Sequence, residues 1–66
     1  MKLHFAASTH TDSQARLAQL TGRYGQTEIE RADVIVVLGG DGQMLQAMRD
    51  SIRHNLPLFG VNCGRI

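Results

Sequence analysis

Sixty-six residues allow one small domain at most, and chains below about 70 to 80 residues rarely bury enough apolar surface to be stable unaided. The single Cys63 excludes an internal disulfide, and His4, His10 and His54 are too scattered to complete a zinc site with it. A net charge of +1 without a basic stripe, no apolar run near about 18 residues, and a start too quickly polar for a secretory signal argue against nucleic acid, a membrane and export, leaving a cytoplasmic location as the expectation.

From the first residue, Leu3, Phe5 and Ala7 alternate with Lys2, His4 and Ala6, the pattern of a strand packed mainly on one face. Thr11 and Gln14 stand at capping-box spacing, and Leu17, Leu20 and Tyr24 then recur at helical intervals until Gly25 offers a left-handed stop. Gly22 costs this helix about 1 kcal/mol relative to alanine, so a frayed or broken last turn is expected. Residues 26–33 are polar except Ile29 and Ala32, and hold either a short edge strand at Thr27–Glu28 or a plain connection. The charges of Glu28, Glu30, Arg31 and Asp33 suit a solvated face.

Val34 to Leu38 is an unbroken apolar run, the mark of a strand covered on both faces. It leads straight into Gly39-Gly40-Asp41-Gly42, where glycines let the backbone turn sharply and come close to a ligand. Leu45, Met48 and Ile52 then fall at helical spacing, with Met44 beside them as a flexible core filler, while Gln46, Arg49, Asp50 and Arg53 populate the outer side. Asn55 and Pro57 end this second helix, and Leu58-Phe59-Gly60-Val61 reads as another buried strand. Strands alternating with helices imply an α/β fold: a Rossmann-like or doubly wound parallel sheet with flanking helices and right-handed crossovers.

The glycine turn is not a Walker A loop, because no Gly-Lys-Ser/Thr follows. Nor does it match the dinucleotide fingerprint well, since Leu45 stands where glycine or alanine belongs and no acid lies about 20 residues on. Glycines at a helix start do leave N–H groups accessible to phosphate. A carboxylate aimed at phosphate would repel it, so Asp41 needs a different task. It could take a proton from a hydroxyl that attacks a phosphoryl group, hold a divalent ion bridging nucleotide phosphates, or simply cap the second helix through the N–H of Gln43 or Met44.

Taken together, Asp33 to Leu38, Gly39-Gly40-Asp41-Gly42, Met44-Leu45 and Gly60-Val61-Asn62-Cys63-Gly64 resemble the NAD kinase family. Its mark is an aspartate-led apolar strand ending in Gly-Gly-Asp-Gly, a leucine-containing helix, and a strand ending in Gly-Val/Ile/Met-Asn-x-Gly. The likeness covers residues 33–66 well, and the first 32 residues only in general plan. Diacylglycerol-type lipid kinases and phosphofructokinases also carry Gly-Gly-Asp-Gly, but lipid kinases usually follow it with threonine. Phosphofructokinases follow it with serine, after a longer preceding segment.

The resemblance implies a parent enzyme that transfers a phosphoryl group from ATP or another donor, with a divalent cation such as Mg2+, to the 2′-hydroxyl of the adenosine ribose of NAD, forming NADP. It implies that Asp41 is the base for that hydroxyl, with Gly39, Gly40, Asp41, Gly42 and Asn62 as nucleotide-site residues and no residue assigned to metal. Gln43 departs from the commoner threonine or serine, and Gln46 from an arginine many relatives place there. The partners implied are small-molecule nucleotides, without nucleic acid or membrane, in a homo-oligomeric parent.

Cys63-Gly64-Arg65-Ile66 follows a strand-like run without a cap or polar tail, which suggests that residues 1–66 are the N-terminal part of an α/β nucleotide-binding kinase domain. The rest of that domain and a C-terminal β-rich domain would then lie elsewhere. The alternatives are a diacylglycerol-type lipid kinase and a non-catalytic, truncated nucleotide-binding module. Asn62 and Gly64 also suit an ordinary turn, and Cys63 has no visible activating partner.

Overall fold

The strand that the unbroken apolar run predicts, Val34–Leu38 (β2), is the centre of a three-stranded parallel sheet in the computed structural model, which describes residues 1–61. Leu3–Ala7 (β1) pairs with it on one side, Leu3 opposite Val34 and Ala7 opposite Leu38. Leu58–Val61 (β3) pairs on the other, Ile35 opposite Leu58 and Leu38 opposite Val61. Ile35, Val37 and Leu38 are all but sealed from solvent, because helices cover both faces of this strand.

Thr11–Tyr24 (α1) packs Leu17 and Leu20 onto Phe5, Val36 and Leu38 on one face. Asp41–His54 (α2) packs Met44 and Ala47 onto Ile35 and Val37 on the other. Strands in sequence order with helices on opposite faces give the two β-α-β connections opposite hands, so only one has the right-handed form expected of both. Residues 25–33 show how the chain manages this. The Thr27 N–H donates to the Leu3 carbonyl at 3.0 Å, along the outer edge of β1. A 3-10 turn at Ile29–Arg31 then carries Ile29 against the cluster on the α2 side. The connection therefore runs from the α1 face, around the free edge of β1, to the opposite face before entering β2. Thr27–Glu28 forms no strand, and Glu28, Glu30, Arg31 and Asp33 are exposed, as the charge pattern suggested.

The helix ends follow the sequence in part. Gly25, at φ +80°, stops α1, and Asn55, in the left-handed region at φ +55°, stops α2. The helix runs unbroken through Gly22 to Tyr24, correcting the expected break. The expected capping box is also corrected. His10 precedes the helix without a side-chain cap, and the Gln14 carboxamide instead donates to the Ser8 carbonyl at 2.7 Å. That contact ties the helix to the end of β1.

A larger correction concerns the phase of α2. Leu45, Met48 and Ile52, the expected inner stripe, are 60%, 46% and 81% exposed, while Ala47 is 1% exposed against the sheet. Met44, Ala47 and Ser51 form the inward row, and the Ser51 hydroxyl donates to the Leu56 carbonyl just beyond the helix. The helix is rotated about one residue from the most apolar arrangement. Close packing on Ile35 and Val37 favours a small alanine at the contact.

Candidate functional site

Gly39 ends β2 at φ +147°, a conformation that an L side chain rarely adopts. A Cβ there would lie 3.1 Å from Ser8 Oγ and 3.3 Å from the Gln43 Cβ, so packing demands glycine as well. Ser8 is held in that place by its N–H, which donates to the Leu38 carbonyl at 3.1 Å, and by its hydroxyl, which donates to buried Ser13 at 2.8 Å. In α/β sheets ligands commonly bind outside the carboxyl ends of the strands. Here Ser8 packs against Gly39 between the ends of β1 and β2, and the open space lies on the other side of Gly39.

That space is a cleft of about 260 Å³ lined by Gly39, Gly40, Asp41, Met44, Gly60 and Val61. Its parts come from the end of β2, the first turn of α2 and the end of β3. Gly40 is the residue before the helix, and its carbonyl accepts the first helical hydrogen bond from Met44 N–H at 3.0 Å. Asp41 is the first helical residue, exposed, beside the partial positive charge of the helix start. Among the described residues its carboxylate accepts no hydrogen bond, so the capping role weighed from sequence is not the one observed.

The glycines divide into two kinds. Gly39 is required by the fold. Apart from its chain neighbours, a Cβ at Gly40 or Gly42 would meet nothing within 4 Å among the described residues, and neither has a positive φ. Packing among the described residues does not require glycine at these two positions, on either side of Asp41. Gly42 lies in the first turn of α2, exposed beside the cleft. Asn62, like Cys63 and Gly64, lies outside the described residues.

Met44 and Val61 are cleft residues that the sequence pattern did not single out. The signal for Met44 lies in Gly60, since a glycine inside a strand commonly marks a close approach from another element. No group of three or more His, Cys, Asp or Glu side chains converges among the described residues. A divalent ion at this cleft would therefore draw on Asp41 together with substrate phosphates and groups outside these residues. No helix among the described residues is long and apolar enough to cross a membrane.

The parallel α/β layer thus carries a glycine-flanked carboxylate at the carboxyl end of its central strand, the side on which α/β sheets bind ligands. The whole chain, residues 1–66, matches the family model described as the ATP-NAD kinase N-terminal domain, and the chain belongs to that family. It is 44% identical over 66 residues to an NAD kinase of Brucella suis, covering all of this chain and 26% of the relative. It is 42% identical over 62 residues to an NAD kinase of Mesorhizobium japonicum, covering 94% of this chain and 24% of that protein. An NAD kinase of Caulobacter vibrioides is 38% identical over 65 residues, covering 98% of this chain and 25% of the relative. The chain thus spans about a quarter of the length of the curated relatives it matches. No solved structure matches it significantly. Nothing in these matches supports the diacylglycerol-type lipid kinase alternative.

Proposed function

We infer that this segment supplies the aspartate-bearing corner of the nucleotide site in a longer enzyme, one that phosphorylates NAD at the 2′-hydroxyl of its adenosine ribose to form NADP. The observation that carries the inference is the exposed carboxylate of Asp41, which accepts no hydrogen bond among the described residues, between Gly40 and Gly42, two glycines that packing among those residues does not require. Family membership supplies the substrate class. Asp41 accepts the proton of the 2′-hydroxyl as that oxygen attacks the phosphoryl group. Gly39 fixes the turn, and Gly40 and Gly42 admit the ribose close to the backbone, with Asn62 contributing as the family resemblance implies.

ATP or a related donor, with a divalent cation such as Mg2+, supplies the phosphoryl group and offsets its charge. In-line alignment of the donor falls to parts of the protein outside residues 1–66. The remainder of the α/β domain, a β-rich C-terminal domain, assembly into homo-oligomers and a cytoplasmic location complete the proposal. The isolated segment is expected not to turn over substrate.

The test is Asp41→Asn in the full-length protein. Base catalysis is typically worth about 10² to 10⁴ in rate, so kcat for NAD phosphorylation should fall by that factor while circular dichroism stays unchanged. Near-normal turnover would remove Asp41 from the base role.

A further inference from the structure

We propose that Met44 is a specificity-determining residue of the cleft, its thioether forming the apolar wall beside Asp41, and that Gly60 is glycine so that this side chain can sit there. The proposal rests on the nucleotide-site function inferred above and deepens it. A Cβ built on Gly60 would lie 2.4 Å from Met44 Cε and 3.6 Å from its sulfur, so the methionine occupies the place of a side chain on β3. Gly60 has no positive φ, and no turn is made inside β3, so backbone conformation does not account for the glycine. Among the described residues, the neighbour that a side chain there would meet is Met44.

Met44 touches two environments. On the inner side it packs with Ile35, Val37 and Ala47, each 1% exposed or less. On the outer side it lines the open cleft with Asp41, Gly39 and Gly40. A side chain on residue 60 would have to displace the Met44 methyl, the far end of a flexible side chain, and the open space beside it is the cleft. The methyl therefore moves into the cleft, against the ligand. A thioether on an unbranched stem is polarizable and adaptable, which suits contact with the flat face of a nucleoside base or the apolar edge of a ribose. The chemical class of ligand is thus a nucleoside, held by an apolar wall next to the carboxylate that acts on its hydroxyl.

The experiment is a double-mutant cycle in the full-length protein, with Gly60→Ala, Met44→Ala and the pair, reading KM and kcat for NAD. Gly60→Ala should raise KM by about 10-fold, the scale of one misplaced methyl group in a binding pocket, with kcat changed far less. Met44→Ala alone should also raise KM, because the wall is lost, and the pair should raise it by clearly less than the two single changes multiplied together, because no Met44 methyl is left for residue 60 to displace. Met44→Leu, similar in volume, keeps the variant set informative if the alanine proteins are poorly folded. A KM for Gly60→Ala or for Met44→Ala equal to the wild type, or two effects that simply multiply in the pair, overturns the proposal. Wild-type protein that does not phosphorylate NAD overturns the underlying function and this inference with it. A purely structural part for the pair would shift the melting temperature and leave the KM cycle flat, which also counts against it.

Discussion

The Gln26 carboxamide grips the backbone of Phe5 at both of its polar groups, with Oε1 accepting from the N–H at 2.8 Å and Nε2 donating to the carbonyl at 2.9 Å. Phe5 is on the free edge of β1, and this side chain satisfies it as a neighbouring strand would. Edge strands otherwise offer unpaired groups to other chains. The same contact steers the connection around the edge of the sheet, and so sets the approach to β2 and its glycine turn.

Replacing Gln26 with alanine removes both bonds, worth about 1 kcal/mol each in net terms. Hydrogen exchange at the Phe5 amide should accelerate by roughly 10-fold or more, since each 1.4 kcal/mol of local opening is about a factor of ten. Gln26→Glu keeps the acceptor but turns a carboxylate oxygen onto the Phe5 carbonyl, so it should not restore protection. An unchanged Phe5 amide in both variants would show that the grip contributes nothing.

The two kinds of glycine in the turn should respond differently to one added methyl. Gly39→Ala meets Ser8 at 3.1 Å and must hold φ near +147°, a strain of about 1 to 3 kcal/mol. Gly42→Ala lies in the first turn of α2 with open space around it, and should raise stability by up to about 1 kcal/mol through helix propensity. On the proposed function, Gly42→Ala nonetheless weakens NAD phosphorylation, because its methyl stands beside Asp41. Thermal melts together with assays of the full-length protein separate these effects. A Gly42→Ala protein that is both stabler and fully active would remove the ligand explanation for that glycine.

Rotation of α2 gives a third contrast, between Ala47 and Ile52. Ala47→Leu forces extra volume between the helix and the Ile35–Val37 face, at a cost of about 1 to 3 kcal/mol. Ile52, 81% exposed, should tolerate Ile52→Ala within about 0.5 kcal/mol. Denaturant titration of the two variants checks the helix phase directly. The opposite ranking would mean that the apolar stripe Leu45–Met48–Ile52 faces the sheet after all.

The three strands and both helices were legible from residue order, because local signals agree there. Val34 to Leu38 is apolar throughout and β-branched for most of its length, and Gly25, Asn55 and Pro57 mark ends by backbone geometry that no tertiary contact needs to supply. The phase of α2 was not legible. Periodicity counts apolar residues, whereas the contact with Ile35 and Val37 selects by size, and Ala47 is a weak signal on a hydropathy scale.

The candidate site divides in the same way. Asp41 and its flanking glycines stand out in the chain because they follow directly on the buried central strand, and the family likeness is written in the same residues. By position in the chain Met44 is a core filler, and its place in the cleft depends on β3 running beside β2 so that Gly60 comes under it. What the chain determined unaided is which segments are strands and helices and where the chemistry-bearing turn falls, since those choices rest on backbone preference and neighbouring residues. Which faces the helices take, the path around the edge of β1, and which side chains wall the cleft were decided only by packing in three dimensions, because each depends on contacts between residues far apart in sequence.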